Sequence, residues 1–583
     1  MQKKVILFVV IWFVLISILT IKTREYALPN QDKLKWAEKT VASLTIDEKI
    51  GQLFFIAVRA NPGYSDDPLF KNIFTAFGLV EKHDREYALR MIQEHHIGGV
   101  LYICRSTILE QQKLTHELQQ KSKLPLLFVQ DFEWGLTMRL DDALRFPKNM
   151  TLGALDNDKL IYKMGKEIAR QCKLIGVHMN LAPIFDVNNN PNNPIINDRS
   201  FGEDKEKITR KALAMMAGFQ NGRILACPKH FPGHGDVEID SHAALPLIPH
   251  DIKRLYDIEL YPFIQAILHK ADAIMTAHLH IPALDNTPGI PSSISPKIVS
   301  ELLKKRLGFR GLIITDGLVM KGVTDFTQEN GETELKALLA GNDILLFPKD
   351  VAQAKAKIKE ALADGRLTEK QLDDSVLKIL KSKQRCNLHK ARAFKPCKPQ
   401  DLHNKHARVL KKELYTQAIT LVKNDTILPF KQAQQVTLIQ VGGKADSQFM
   451  KSLSPLKPQI IILSSKPSEK EIEKTIKQVS QESIVIFGIF DMNKFAKENW
   501  NIAPETQKLI DQIKQNHKII LTLFGNAYSL KIFGKEDAII VAYEDDPDAQ
   551  EAAAHTILGA HRPTGKLPVT ASNDFPAGCF MTF

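Results

Sequence analysis

The chain has 583 residues, 44 % of them apolar and 25 % charged, which is enough for two or three cored domains and too balanced for a disordered or low-complexity protein. Its formal charge of +12 comes from lysines spread over predicted helix faces, not from one basic stripe. That argues against a nucleic-acid partner and leaves a polyanionic surrounding compatible. The six cysteines (Cys104, Cys172, Cys227, Cys386, Cys397, Cys579) make no CxxC pair and no zinc-finger spacing, so nothing points to a structural metal.

The chain opens with MQKK and an uncharged apolar run at residues 5–21, followed by Lys22, Arg24 and Pro29. A basic start and an all-round apolar surface mark an export signal. The run is long for a signal-peptide core and short for a membrane span, and it lacks both a small-x-small cleavage site and a lipidation cysteine. Residues 1–30 are therefore read as either a cleaved signal or a retained membrane anchor.

From about residue 50, short β-rich runs alternate with segments of helical period. The runs are LFFIAV (53–58), GVLYIC (99–104), LLFVQD (126–131), VHMNLAPIFDV (177–187), ILACPKH (224–230), AIMTAH (273–278), GLIITD (311–316) and DILLFP (343–348). KITRKALAMMAGFQNG, DIKRLYDIELYPFIQAILHKA and PKIVSELLKKRLGF are helix candidates between them. Eight strand–helix units predict a (β/α)8 barrel over residues 31–385. Asp131, Lys229 with His230, His278 and Asp316 fall at carboxyl ends of these strands, where barrel enzymes keep their chemistry. Met275 shares the sixth strand with His278 and suits the core.

A basic, proline-containing linker (386–405) follows, flanked by Cys386 and Cys397, which either pair or remain thiols. Residues 406–583 predict an α/β/α sandwich on a buried parallel sheet, with strands VTLIQV, QIIIL, SIVIFGIF, KIILTLF and AIIVAY. It has neither a GxGxxG nor a phosphate-loop motif, so no nucleotide cofactor is expected.

The densest chemistry lies in KHFPGHGDVEIDSHAALP (229–246). A metal site would need His230, His234 and His242 to converge, yet Pro232, Gly233 and Gly235 break the helix that would align the first two, and no HExxH occurs. No metal is expected. Proton transfer suits the stretch better: in Asp240-Ser241-His242 a carboxylate two residues from an imidazole can hold one ring nitrogen and raise the basicity of the other.

Together, KHFPGHG, DSH and ITDGLVM resemble glycoside hydrolase family 3, in particular its bacterial β-N-acetylglucosaminidase branch with an Asp-His pair as acid/base. APIFDV, NDRSFGED, MTAHLHIPALD, AITLVKNDTILPF and RPTGKLPVT extend the likeness over nearly the whole chain after residue 30. The resemblance implies that Asp316 is the nucleophile of a retaining double displacement, His242 the general acid/base and Asp240 its orienting partner. It implies that Asp131, Arg139, Arg199, Lys229 and His230 bind the sugar. DFEWGLTMR departs from the family's usual DQEGGRVxR at Phe132, Trp134 and Leu136, which predicts a more apolar and aromatic pocket wall. Many relatives also carry a second acid where Gly317 stands.

The implied activity is exo-hydrolysis of terminal β-linked N-acetylglucosamine from peptidoglycan fragments or related glycans in a bacterial envelope, with a carbohydrate as the partner. Three alternatives stay open: a β-glycosidase of other sugar specificity, an N-acetylglucosaminide phosphorylase, and an inactive sugar-binding scaffold.

Overall fold

A computed structural model describes residues 31–61, 84–327, 329–390, 395–430 and 435–583. The apolar run at 5–21 lies outside them. Among the described residues no helix is long and apolar enough to cross a membrane.

The first domain carries β1 (Phe54–Arg59), β2 (Gly99–Ile103), β3 (Leu127–Gln130), β4 (Met179–Asn180), β5 (Leu225–Ala226), β6 (Ala273–Thr276), β7 (Leu312–Thr315) and β8 (Leu345–Leu346). Six of them form a sheet in the order β5-β4-β3-β2-β1-β8, and β6 pairs with β7. All these pairings are parallel. Single parallel bridges, Phe231 to Thr276 and Ile314 to Ile344, join the two sheets into a ring. Every strand is buried on both faces but for the last residue of β2, as expected where helices cover a parallel sheet.

The strands are shorter than the apolar runs. The run at 177–187 yields only Met179–Asn180, because Pro183 has no N–H to donate to a ladder and the Cys227 N–H is shared between Asn180 and Ala182 carbonyls. The segment 251–271 is likewise broken, into Ile252–Arg254, a wide turn Leu255–Glu259 and a helix Tyr261–Leu268 that restarts with Pro262 in its first turn. Helices Asp158–Ile175 and Lys205–Asn221 meet at Gly165 and Gly218, where any Cβ would lie 2.6 Å or less from the facing backbone oxygens of Met215 and Tyr162.

In the second domain, β9 (Thr420–Asn424), β10 (Val436–Val441), β11 (Gln459–Leu463), β12 (Ile484–Ile489), β13 (Ile519–Leu523) and β14 (Ala538–Val541) form one sheet in the order β11-β10-β12-β13-β14-β9. It is parallel except for β9, which runs antiparallel to β14. The sheet is thus mixed. Lys423 and Asn424 end β9 half-exposed, and such an edge strand lacks the continuous apolar signature of its buried neighbours. All six cysteines stand as thiols.

The domains are pinned together by polar bonds. Glu544, nearly buried, accepts from Arg145 Nη2 (2.7 Å), Lys148 N (2.8 Å) and Thr151 Oγ1 (2.6 Å) of the barrel. Asn526 Nδ2 donates to Asn197 Oδ1 at 2.6 Å, and Asn188 Nδ2 donates to the Tyr528 hydroxyl at 2.8 Å.

Candidate active site

Strand β3 ends at Gln130, so Asp131 and Glu133 stand at the mouth of the ring, and Lys229 arrives there three residues beyond β5. Lys229 Nζ lies 2.7 Å from Asp131 Oδ1 and 3.0 Å from Glu133 Oε1. Arg139 Nη2 donates to Asp131 Oδ2 at 3.1 Å. Arg199, on the short turn Asn197–Arg199, grips Glu133 with Nη2 at 2.7 Å and Nε at 3.0 Å. Burial opposes ionisation of Glu133, but Arg199 and Lys229 outweigh it and hold the carboxyl far below its usual range. The same pairing raises Lys229 and Arg199 against their own desolvation. Four of the implied sugar ligands thus form one preorganised charged lattice. Glu133, to which the sequence assigned no role, is its hub.

The departures in DFEWGLTMR fall differently from expectation. Phe132 and Leu136 are fully buried in the apolar core, so they do not coat the pocket wall. Only Trp134 reaches the surface, with Lys148 Nζ 5.3 Å from its ring centre. The backbone reverses at Gly135 with φ 90°, where a side chain would be strained.

His230, the remaining implied sugar ligand, is oriented by Asp186 of the APIFDV motif. Asp186 is fully buried and accepts from His230 Nδ1 (2.7 Å), His230 N (3.1 Å) and His234 N (2.7 Å). Desolvation of Asp186 is outweighed by these histidines, so it stays ionised. With Nδ1–H committed to Asp186, His230 Nε2 is turned away from that carboxylate.

Asp316 follows β7 directly. Its backbone N–H donates to Thr276 O (2.9 Å), and its Oδ1 accepts from Gly317 N (2.8 Å). Burial opposes its charge, but His230, His278, His242 and the Gly317 N–H together hold its pKa at about 2. It is a carboxylate at any working pH. His278, fully buried, has Nε2 3.0 Å from Gly317 O and Nδ1 2.7 Å from Ser293 Oγ. Since a carbonyl only accepts, Nε2 carries the proton and Nδ1 accepts from the serine. His278 thereby fixes the turn that aims Asp316.

His242 and Asp240 stand on a surface turn closed by Ala243 and Ala244 N–H bonds to Asp240 O. His242 Nδ1 lies 2.7 Å from Asp240 Oδ1, and the same oxygen accepts the His242 backbone N–H at 2.8 Å. Their side chains are 53 % and 38 % exposed, so the imidazole is accessible from outside. Desolvation lowers the His242 pKa, but Asp240 and then Asp316 outweigh it and raise the group above its ordinary value. Asp316 acts electrostatically on His242 and His242 on Asp316.

A cleft of about 370 Å³ opens between the domains beside this lattice. Lys148, which pairs with Asp198 at 2.5 Å, lines one side and Lys494 of the second domain the other. Lys494 Nζ reaches Ile195 O at 3.5 Å, and desolvation lowers its pKa. The segment DMNKF carries no motif, so sequence reading had no means of finding it.

Of the three histidines in this stretch, His230 bonds Asp186, His234 bonds Ser241 and His242 bonds Asp240, each through one ring nitrogen. Asp236, His250 and Glu259 do bring ligand atoms within 4.8 Å of one another. There, however, Arg254 Nη2 already sits 3.1 Å from Glu259 and 3.5 Å from Asp236, and His250 Nε2 lies 2.8 Å from Asp236. The guanidinium supplies the positive charge that an ion would bring.

Comparison with known proteins matches residues 45–382 to the glycosyl hydrolase family 3 N terminal domain and residues 419–576 to the glycosyl hydrolase family 3 C-terminal domain. Beta-hexosaminidase A of Pseudoalteromonas piscicida is 31 % identical over 83 % of this chain and 90 % of its own length. A beta-N-acetylglucosaminidase/beta-glucosidase of Cellulomonas fimi is 26 % identical over 72 % of each chain. Among solved structures, a family 3 beta-N-acetylglucosaminidase from Paenibacillus sp. superimposes with a TM-score of 0.76 at 28 % identity, covering 91 % of this chain and 99 % of that one.

Proposed function

Because the chain belongs to glycosyl hydrolase family 3 and is a glycoside hydrolase of the β-N-acetylhexosaminidase kind, we propose that it removes terminal β-linked N-acetylglucosamine with retention of configuration. The observation that carries this reading is the Nδ1–Asp240 bond of His242, 2.7 Å long, on an imidazole that feels the charge of ionised Asp316.

In the first step an Asp316 oxygen attacks the anomeric carbon. The glycosidic C–O bond breaks, and the departing oxygen takes the proton from His242 Nε2. Asp240 stabilises the imidazolium before transfer and holds the ring afterwards. In the second step His242 Nε2 accepts a proton from water, whose oxygen displaces Asp316 from the sugar and leaves the β-anomer. The Asp131–Lys229–Glu133–Arg199 lattice and His230 bind the hydroxyls. Its ions are paired in advance, so little is lost in ordering them when the sugar arrives.

Terminal sugars of peptidoglycan fragments are the proposed substrates and a bacterial envelope the proposed location, supported by the export signature of residues 5–21. Cell fractionation with and without residues 1–30 tests the location: the shortened chain should stay in the cytoplasm.

A 5-fluoro N-acetylglucosaminyl donor tests the chemistry. We expect a glycosyl ester on the peptide containing Asp316, and turnover at background in Asp316→Asn with ligand binding retained. A label on another acid refutes the assignment, and an untouched wild-type enzyme favours a sugar-binding scaffold. Phosphorolysis is a second reading, favoured by the imidazole acid/base, because a neutral ring does not repel a phosphate acceptor as a carboxylate does. Sugar 1-phosphate formed in phosphate buffer would establish it.

A further inference from the structure

Between the two exposed members of the Asp240–His242 pair lies a residue that is almost wholly buried: Ser241, 2 % exposed. Its Oγ is 3.2 Å from His234 Nε2, and its carbonyl accepts the Gly322 N–H at 3.1 Å. These partners come from the two loops that matter for the reaction. His234 sits on the turn after β5, its own N–H fixed on Asp186, the carboxylate that also orients His230. Gly322 lies on the short helix Lys321–Thr324 after β7, six residues beyond Asp316. Contact there is close enough that a Cβ on Gly322 would lie 2.8 Å from Ser241 O.

We propose that Ser241 is a positioning residue of the reaction: clasped by His234 and Gly322, it ties the acid/base turn to the loop of the nucleophile and keeps His242 within electrostatic reach of Asp316. Asp240 and His242 are partly exposed and bond to each other within the turn, and that mutual bond does not by itself fix where the turn sits. His234 is suited to the task because burial, with His230 beside it, holds its pKa at about 4. It stays neutral while His242 titrates, so the clasp does not open during the catalytic cycle.

This inference uses the acid/base role given to His242 above, and its test separates the two. The charged groups acting on His242 are Asp240 in its own turn, Asp316 after β7 and, opposing them, Arg199. A released turn keeps Asp240 but loses its burial, Asp316 and Arg199 together, so the imidazole pKa must move toward that of an exposed Asp–His pair. NMR titration of His242 in the full chain reads this without any substrate.

Ser241→Ala is expected to fold with a modestly lower Tm, because it removes a buried partner of His234, to shift the imidazole pKa, and to move the alkaline limb of kcat/KM in the same direction by the same amount. It should also lower kcat about tenfold or more while KM stays within about twofold, as expected of a misplaced reacting group. His234→Gln, which keeps a hydrogen-bonding group near the Nε2 position with Ser241 in place, should retain most of the wild-type rate. Gly322→Ala is the second variant, since it must push Ser241 O aside without touching the hydroxyl, and it should reproduce the pKa shift.

If the imidazole pKa is unchanged in both Ser241→Ala and Gly322→Ala, the proposal is overturned, even where kcat falls, because the serine would then support only the fold. If the wild type leaves N-acetylglucosaminides intact, the functional reading fails and the NMR titration still decides the clasp.

Discussion

At the scale of single residues, the site separates holding from reacting. The proposed sugar-holding groups are ion-paired and at least partly buried, whereas the proposed acid/base pair is left partly open. Removing one charge from the buried lattice should therefore cost more than stability alone. Glu133→Gln leaves Arg199 and Lys229 facing each other without their shared carboxylate, a loss of about 3–5 kcal/mol for a broken buried pair. Thermal melts should show a lower Tm, and kinetics should show a higher KM. Glu133 has a depressed pKa, so its contribution is present above the ordinary carboxylate range and is lost as the pH falls below it.

His242 behaves in the opposite sense. Its raised pKa predicts that kcat/KM, which needs the protonated ring, persists above the ordinary histidine value and falls at higher pH through the folded pKa. Asp240→Asn should move that limb to lower pH. His242→Ala should reduce kcat by about 10²–10⁴-fold on alkyl glycosides, and by less on aryl glycosides whose leaving oxygen needs no proton.

At the scale of elements, the eight-strand reading was legible because buried parallel strands announce themselves as uninterrupted Val, Ile and Leu. Asp131, Lys229 and Asp316 were legible because they follow such strands. What escaped was of three kinds. Strand β9 ends in lysine and asparagine, so its edge position hid it. Strand β4 shrank because proline interrupts its run. Asp186 and Glu133 act through other side chains, and His278, though legible at its strand end, acts through the Gly317 carbonyl; a single sequence shows neither a buried hydrogen bond nor its direction.

One further element carries a measurable cost. Glu334, on the helix Glu332–Ala340, is 1 % exposed, and burial pushes its pKa up to about 7, with the Lys349 N–H its backbone donor at 2.9 Å. A raised carboxyl contributes fully below its unfolded value, and that contribution is lost as the pH rises through about 7. Glu334→Gln keeps the acceptor and removes the charge. It should raise the Tm at about pH 8 and change it little at about pH 5, as differential scanning calorimetry at the two pH values would show.

At the scale of the whole molecule, the pins between the domains include one carboxylate that serves both. Glu544→Ala strands Arg145 and Thr151 of the barrel at once, and the two domains should then melt in separate calorimetric transitions. Lys494→Ala should instead leave the melt alone and raise KM. Every group assigned to bond making and breaking lies on a barrel loop, whereas one wall of the neighbouring cleft belongs to the other domain. Changes in residues 491–495 and their surroundings can therefore reshape that wall while leaving the barrel loops untouched, so the second domain offers a place where variation need not disturb the machinery beside it.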